Sequence, residues 1–234
     1  MSEQYESVHA EDVEPHRIDG FIDAAFAFAV SVMAIAGAEI PHSLQDLLLA
    51  LDRIPGFACS FATLMIFWHR HVRWRERFRL HDGTTIVLSL MLVFFALIFV
   101  YPLNMLFQAL FSSLYDAYAQ TPLPNEPMIA NMHDLKALYV CFALAYMCMA
   151  GCLALLYSHS LRRSPLKPPT NQIKARRTYY VQLGSVTVAT LSLVVTWWLP
   201  DNASWGWLPG TVYFLQIGVS RIFARWSAKS LAQL

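Results

Sequence analysis

Six stretches of the chain stay apolar long enough to cross a bilayer, with short polar links between them. They fall at residues 18–38, 54–72, 84–110, 135–160, 177–199 and 204–224. A spanning helix needs about 20 apolar residues to cross the roughly 30 Å hydrocarbon core. The pattern therefore predicts an all-α integral membrane protein of six transmembrane helices, one domain over 1–234. The third stretch is the clearest. From Gly83 to Tyr115 the only ionisable side chains are Tyr101 and Tyr115. It is longer than a bilayer requires, so Pro102 is expected to end or kink it, or the helix tilts and projects.

Composition sharpens this picture. Of the 234 residues, 56% are hydrophobic and only 14% charged, where a soluble domain carries about a quarter charged residues. The mean hydropathy is +0.41. The net charge of +1 gives no ground for nucleic-acid binding. Before the first apolar stretch lie Glu3, Glu6, Glu11, Asp12 and Glu14, the opposite of the basic start of a cleavable signal. The first stretch is thus expected to be a retained helix, with residues 1–16 as an acidic cytoplasmic tail.

Lysine and arginine near a membrane mark the cytoplasmic side. Arg70, at the end of the second stretch, and Arg73, Arg75, Arg77 and Arg79 mark the link after it; Arg162, Arg163, Lys167, Lys174, Arg176 and Arg177 follow the fourth; Arg225 and Lys229 follow the sixth. The alternate links carry little positive charge apart from Arg53. Both termini are accordingly expected to be cytoplasmic, in a multi-pass protein of the cell membrane (a bacterial inner membrane). The basic link suits anionic lipid head groups or simply sets topology. The Pro-rich segments Thr121–Pro127 and Pro165–Pro169 read as connectors. Cys59, Cys141, Cys148 and Cys152 lie within apolar runs without a Cys-x-x-Cys spacing, so they read as small packing residues rather than metal ligands.

The first stretch carries the chemistry. It opens with Arg17, Asp19 and Asp23, and is then rich in alanine. Asp19 suits an interfacial cap that meets the positive end of the helix dipole. Asp23 lies about 6 Å deeper, where a carboxylate needs a partner or water. The topology offers Trp68, His69, Arg70 and His71 at the inner end of the second stretch; the bland alternative leaves the histidines wet at the interface. Alanine makes a slim helix that packs closely against others. One face reads Phe21, Ala24, Phe28, Ser31 and Ile35, which suits either a pore at an oligomer axis or ordinary bundle packing.

These residues resemble a known family. Arg17-x-x-x-Phe21-Ile22-Asp23 is similar to the Arg-x-x-x-Phe-Ser-Asp signature of the lysosomal potassium channel family (transmembrane protein 175), and Phe67-Trp68-His69-Arg70-His71 to its Trp-x-x-His ending. The late proline of the third stretch is also similar. The resemblance covers mainly residues 17–107. It implies a prokaryotic single-repeat homologue, a homotetramer with the first helix lining a potassium-permeable pore and no carbonyl filter. By position it implies a hydrophobic constriction at Phe28, with Ala24, Ser31 and Ile35 also lining the pore. It further implies a structural polar network of Arg17, Asp23, Trp68 and His71. The chain differs from the family pattern at Ile22, Phe28 and Ser89.

Expected partners are potassium ions, membrane lipids and further copies of the chain. No resident cofactor, metal or enzymatic activity is expected, since neither His-x-x-x-His nor a phosphate loop occurs. The competing reading is a proton-coupled secondary transporter relaying protons between Asp23 and His71.

Overall fold

The computed structural model describes residues 2–35, 41–119, 129, 131–163, 168–200 and 205–232; the side chains of residues 2–16, 49 and 116–119 lie outside that description. Helices α1 (Ser2–Ile35), α2 (Leu44–Asp52), α3 (Ile54–Phe78), α4 (Gly83–Ala119), α5 (Met132–Arg163) and α6 (Pro169–Trp198) follow in order. A short α7 (Leu208–Thr211) and a 3₁₀ turn (Val212–Phe214) lead into α8 (Leu215–Leu231). The acidic side chains before Arg17, the closing residues 36–38 of the first predicted span, and most of both proline-rich connectors fall outside the described residues.

Four segments, Arg17–Ile35, Gly83–Tyr115, Met132–Arg163 and Pro169–Trp198, are long and apolar enough to cross a membrane. The bent pair α2–α3 supplies a fifth if it is one span. The fold is all-α, multi-span and membrane-embedded.

Several boundaries differ from the sequence expectation, with α1 starting at Ser2 and α6 at Pro169. Helix α3 runs on to Phe78, through the arginine-rich stretch that reads as a link. Arginine is a good helix former, and charge alone does not stop a helix. It ends at Arg79, whose backbone turns left-handed at φ 47° with its N–H on the Arg75 carbonyl. Pro102 does not end α4, which continues to Ala119; the missing proline N–H costs one ladder bond, and neighbouring helices support the chain there. Ser60 of α3 donates to the Leu103 carbonyl at 3.4 Å. The extra helix α2 starts at a reciprocal cap: the Asp46 N–H donates to Ser43 Oγ at 3.1 Å, and the Ser43 N–H to Asp46 Oδ2 at 3.0 Å.

Packing runs in one direction across the chain. Helix α1 lies on α3 and α4, those lie on α5, α5 lies on α6, and α6 carries α8. Helix α5 is the centre, with Met149, Leu153, Leu156 and Tyr157 fully buried. Rings from four elements meet beside it. Phe67 and Tyr146 lie edge to face at 5.1 Å, as do Phe142 and Tyr213, a geometry aromatic quadrupoles favour. At the start of α4, Asp82 accepts the Thr85 N–H at 3.3 Å and pairs with His159 of α5 at 2.6 Å. One carboxylate thus caps α4 and ties it to α5.

Candidate functional site: the outward face of the first helix and its polar anchor

Helix α1 has two faces of opposite use. Ile22, Phe26, Ala29 and Met33 recur at spacings of four, three and four, and all are buried against the rest of the chain. This anchoring stripe follows the helical period and escaped the sequence reading, which attended to the other face. Phe21, Ala24, Phe28, Ser31 and Ile35 are all exposed, pointing away from the rest of the chain. Phe28 is 60% exposed and Ile35 73% exposed. The Ser31 hydroxyl donates back to the Ala27 carbonyl at 3.1 Å, which leaves its lone pairs outward.

Helix α1 is pinned by α3 at its polar residues Asp19 and Asp23. Trp68 Nε1 donates to Asp23 Oδ1 at 3.0 Å. Arg75 Nη2 donates to Asp23 Oδ2, also at 3.0 Å. The other arm of the same guanidinium reaches Asp19: Nη1 lies 3.2 Å from its carbonyl oxygen and 3.4 Å from Oδ1. His81 Nε2 stands 3.8 Å from Asp19 Oδ2. Asp19 is therefore held by α3 and the link after it, and it caps no helix start, since α1 begins far earlier. The two carboxylates, one turn apart, would repel each other without that shared guanidinium.

The sequence-expected residues divide between partners. Trp68 meets Asp23, while His71 turns toward α4 and shares a 2.9 Å hydrogen bond with Ser89 Oγ. His71 is fully buried, and its Nδ1 has no hydrogen-bond partner among the described residues. Arg70 faces away from α1 and donates to Gln182 Oε1 of α6 at 2.9 Å. Arg17 is exposed, without an ion pair among the described residues. The residue that sequence reasoning missed is Arg75. The signal was its spacing: Trp68, His71, Arg75 and Phe78 share one helical face, visible once α3 extends past residue 72.

Between α1 and α3 lies an open crevice of about 320 Å³, lined by Asp23, Phe26, Ala27, Val30, Phe61, Met65 and Trp68. No group of three or more His, Cys, Asp or Glu among the described residues is arranged to hold a metal. All four cysteines are free; only Cys152 is buried, while Cys141 is exposed.

Comparison with known proteins bears on this region. Residues 17–102 match the family described as endosomal/lysosomal potassium channel TMEM175. That range holds both faces of α1, all of α3, and Ser89. A protein of Marivirga tractuosa named potassium channel is 27% identical over 93% of this chain and 90% of its own length. A crystal structure of a variant of the potassium channel MtTMEM175, in complex with a Nanobody-MBP fusion protein, superimposes with a TM-score of 0.75 at 25% identity. That match covers 91% of this chain and 93% of the other.

Proposed function

We propose that this chain, whose residues 17–102 match the endosomal/lysosomal potassium channel TMEM175 family, is a homologue of the prokaryotic single-repeat type and forms a potassium-permeable cation channel whose conduit is lined by α1 from several copies, as a homotetramer. The observation that carries the reading is the outward stripe Ala24, Phe28, Ser31 and Ile35 on a helix whose opposite stripe is fully buried. A membrane helix exposing small and hydroxyl residues beside large apolar ones is suited to pack on itself around an axis. The relatives named as potassium channels, similar along nine-tenths of the chain, support the same reading.

In this arrangement the phenyl rings of Phe28 form the constriction. A narrow apolar ring expels water and so opposes a hydrated cation until the rings part. Ser31, one turn further along, offers hydroxyl oxygens to an ion that has shed part of its shell. Arg75, Asp23 and Trp68 fix the inner end of each lining helix, so the ring geometry is set by α3. Six spans complete the topology, with α7, the 3₁₀ turn and α8 making the last, both ends cytoplasmic and residues 1–16 an acidic tail inside. The carrier reading needs Asp23 and His71 to exchange a proton; their separate partners give it no support.

The test is potassium and sodium flux into proteoliposomes of the purified protein, with the mass of the detergent-solubilised particle measured alongside. Potassium flux through a four-chain particle, raised by Phe28→Ala, is expected. A monomeric particle, or flux unchanged by Phe28→Ala, would overturn the reading.

A further inference from the structure

The charges of this chain are unevenly shared. Of its 16 acidic residues only Asp201 lies after Asp134, whereas ten of its 17 Lys and Arg lie there: Lys136, Arg162, Arg163, Lys167, Lys174, Arg176, Arg177, Arg221, Arg225 and Lys229. Helices α6 and α8 contain no acidic residue at all. They run antiparallel, since Tyr180 stacks on Phe223 with ring centroids 5.5 Å apart and Gln216 Nε2 donates to Ser185 Oγ at 2.7 Å. Their basic ends therefore lie together.

A groove of about 370 Å³ opens along α8 at that end, lined by Arg177 of α6 and by Gln216, Ile217, Ser220, Arg221 and Ala224. Neither Arg177 nor Arg221 has a hydrogen-bond or ion-pair partner among the described residues. Beside the groove, Tyr180 and Trp226 meet edge to face at 5.8 Å; both are part-exposed, as aromatic anchors at a membrane interface are. Helix α8 packs on α6 at the edge of the protomer opposite α1, so an assembly built around α1 leaves this face toward lipid.

We infer that the α6–α8 groove is a binding site for an anionic phospholipid of the cytoplasmic leaflet. The phosphate lies between the Arg177 and Arg221 guanidiniums, and an acyl chain descends past Ile217. The charge pattern favours this occupant. Two arginines without a partner among the described residues, at a hydrocarbon boundary, need counter-charge; α6 and α8, which form the groove, hold none, and an acidic head group brings it with an apolar tail that matches the groove. Each basic residue near an anionic surface contributes to such attachment, and arginine binds phosphate oxygens two at a time. The inference rests on the proposed topology and on assembly around α1, and stands whether or not that assembly conducts.

Native mass spectrometry of the full-length protein, titrated with phosphatidylglycerol and separately with phosphatidylcholine, tests it. Phosphatidylglycerol is expected to be retained roughly tenfold more strongly. Arg177→Gln with Arg221→Gln should remove that preference. Arg162→Gln with Arg163→Gln, at a different basic end, should keep it. Ile217→Trp, which fills the groove with both arginines in place, should also abolish retention, and it serves if the glutamine pair fails to fold. Equal retention of the two lipids would overturn the inference, as would a preference that survives Ile217→Trp. Displacement of the lipid by millimolar inorganic phosphate would make this a free-anion site. A change in particle mass in the glutamine pair would make it a contact between copies.

Discussion

Arg75 and Asp23 face each other across the α1–α3 contact, Nη2 to Oδ2 at 3.0 Å, and the same guanidinium also holds Asp19. Arg75 is 15% exposed and Asp23 40%, so the pair sits between the wet and buried regimes. Exposed pairs contribute about 0.2–1 kcal/mol, and breaking a buried one costs about 3–5. Arg75→Gln should therefore cost about 2 kcal/mol, read as a lowered Tm of the solubilised protein. Arg75→Lys should recover part of the loss, because an ammonium cannot span both carboxylates. An unchanged Tm in Arg75→Gln would remove this pairing from the account of stability.

The Asp23 contacts predict a ranking. Trp68→Phe deletes one neutral donor to a carboxylate and should cost about 1–2 kcal/mol. Asp23→Ala strands both Trp68 and Arg75 and should cost more, with loss of the assembled particle. Thermal melts and size-exclusion profiles of the two variants check the order; a reversed order would show that Asp23 is held by something other than these donors.

The two faces of α1 should differ in chemical access. In a background with the four native cysteines replaced, Ala24→Cys and Ser31→Cys should react with a small charged thiol reagent, because both face outward. Ala29→Cys, on the fully buried stripe, should not. Modification at position 31 should also reduce potassium flux. Equal labelling at 29 and 31 would contradict the separation of faces.

Gly184 sets the approach of α8 to α6. A methyl group there would run into Cγ1 of Val219. Gly184→Ala should cost about 1–3 kcal/mol by overpacking. Val219→Ala should restore much of that in the double variant, giving a positive coupling in a thermal-melt cycle. Additive losses would mean that the two positions do not meet.

Asp82 gives a pH signature. Burial pushes its carboxyl up, but hydrogen bonds from Thr85 and His159 outweigh that and hold it below its ordinary value of 3.8. A depressed folded value means that the stabilisation is complete above the unfolded value and fades as pH falls through the folded one. The Tm of the wild type should thus fall below about pH 4 more steeply than that of Asp82→Asn. Parallel curves from pH 6 to pH 3 would exclude the Asp82 contribution.

Much of the architecture was visible in the sequence because lipid demands it. Hydropathy alone located α1, α4, α5 and α6; opposing helix ends offered Asp23 the residues Trp68 to His71 without singling out Trp68, which meets it at 3.0 Å. What stayed hidden depended on residues with ambiguous local meaning. The run from Arg70 to Arg79 reads as a link because its charge resembles a water-facing loop, yet it is helical to Phe78 and delivers Arg75. Ser89 reads as a departure from the family pattern, and only the fold shows it bonded to His71. Helix α2 is too short for a periodic signal, although the Ser43–Asp46 spacing marks its start.

The interleaving of two stripes on α1 has an evolutionary consequence. Ile22, Phe26, Ala29 and Met33 secure the helix to its own chain; Ala24, Phe28, Ser31 and Ile35 share none of that duty. If α1 lines a conduit as proposed, substitutions in the second set alter what passes along the helix while fold and insertion stay intact. Divergence among relatives is then free to proceed one side of a single helix at a time.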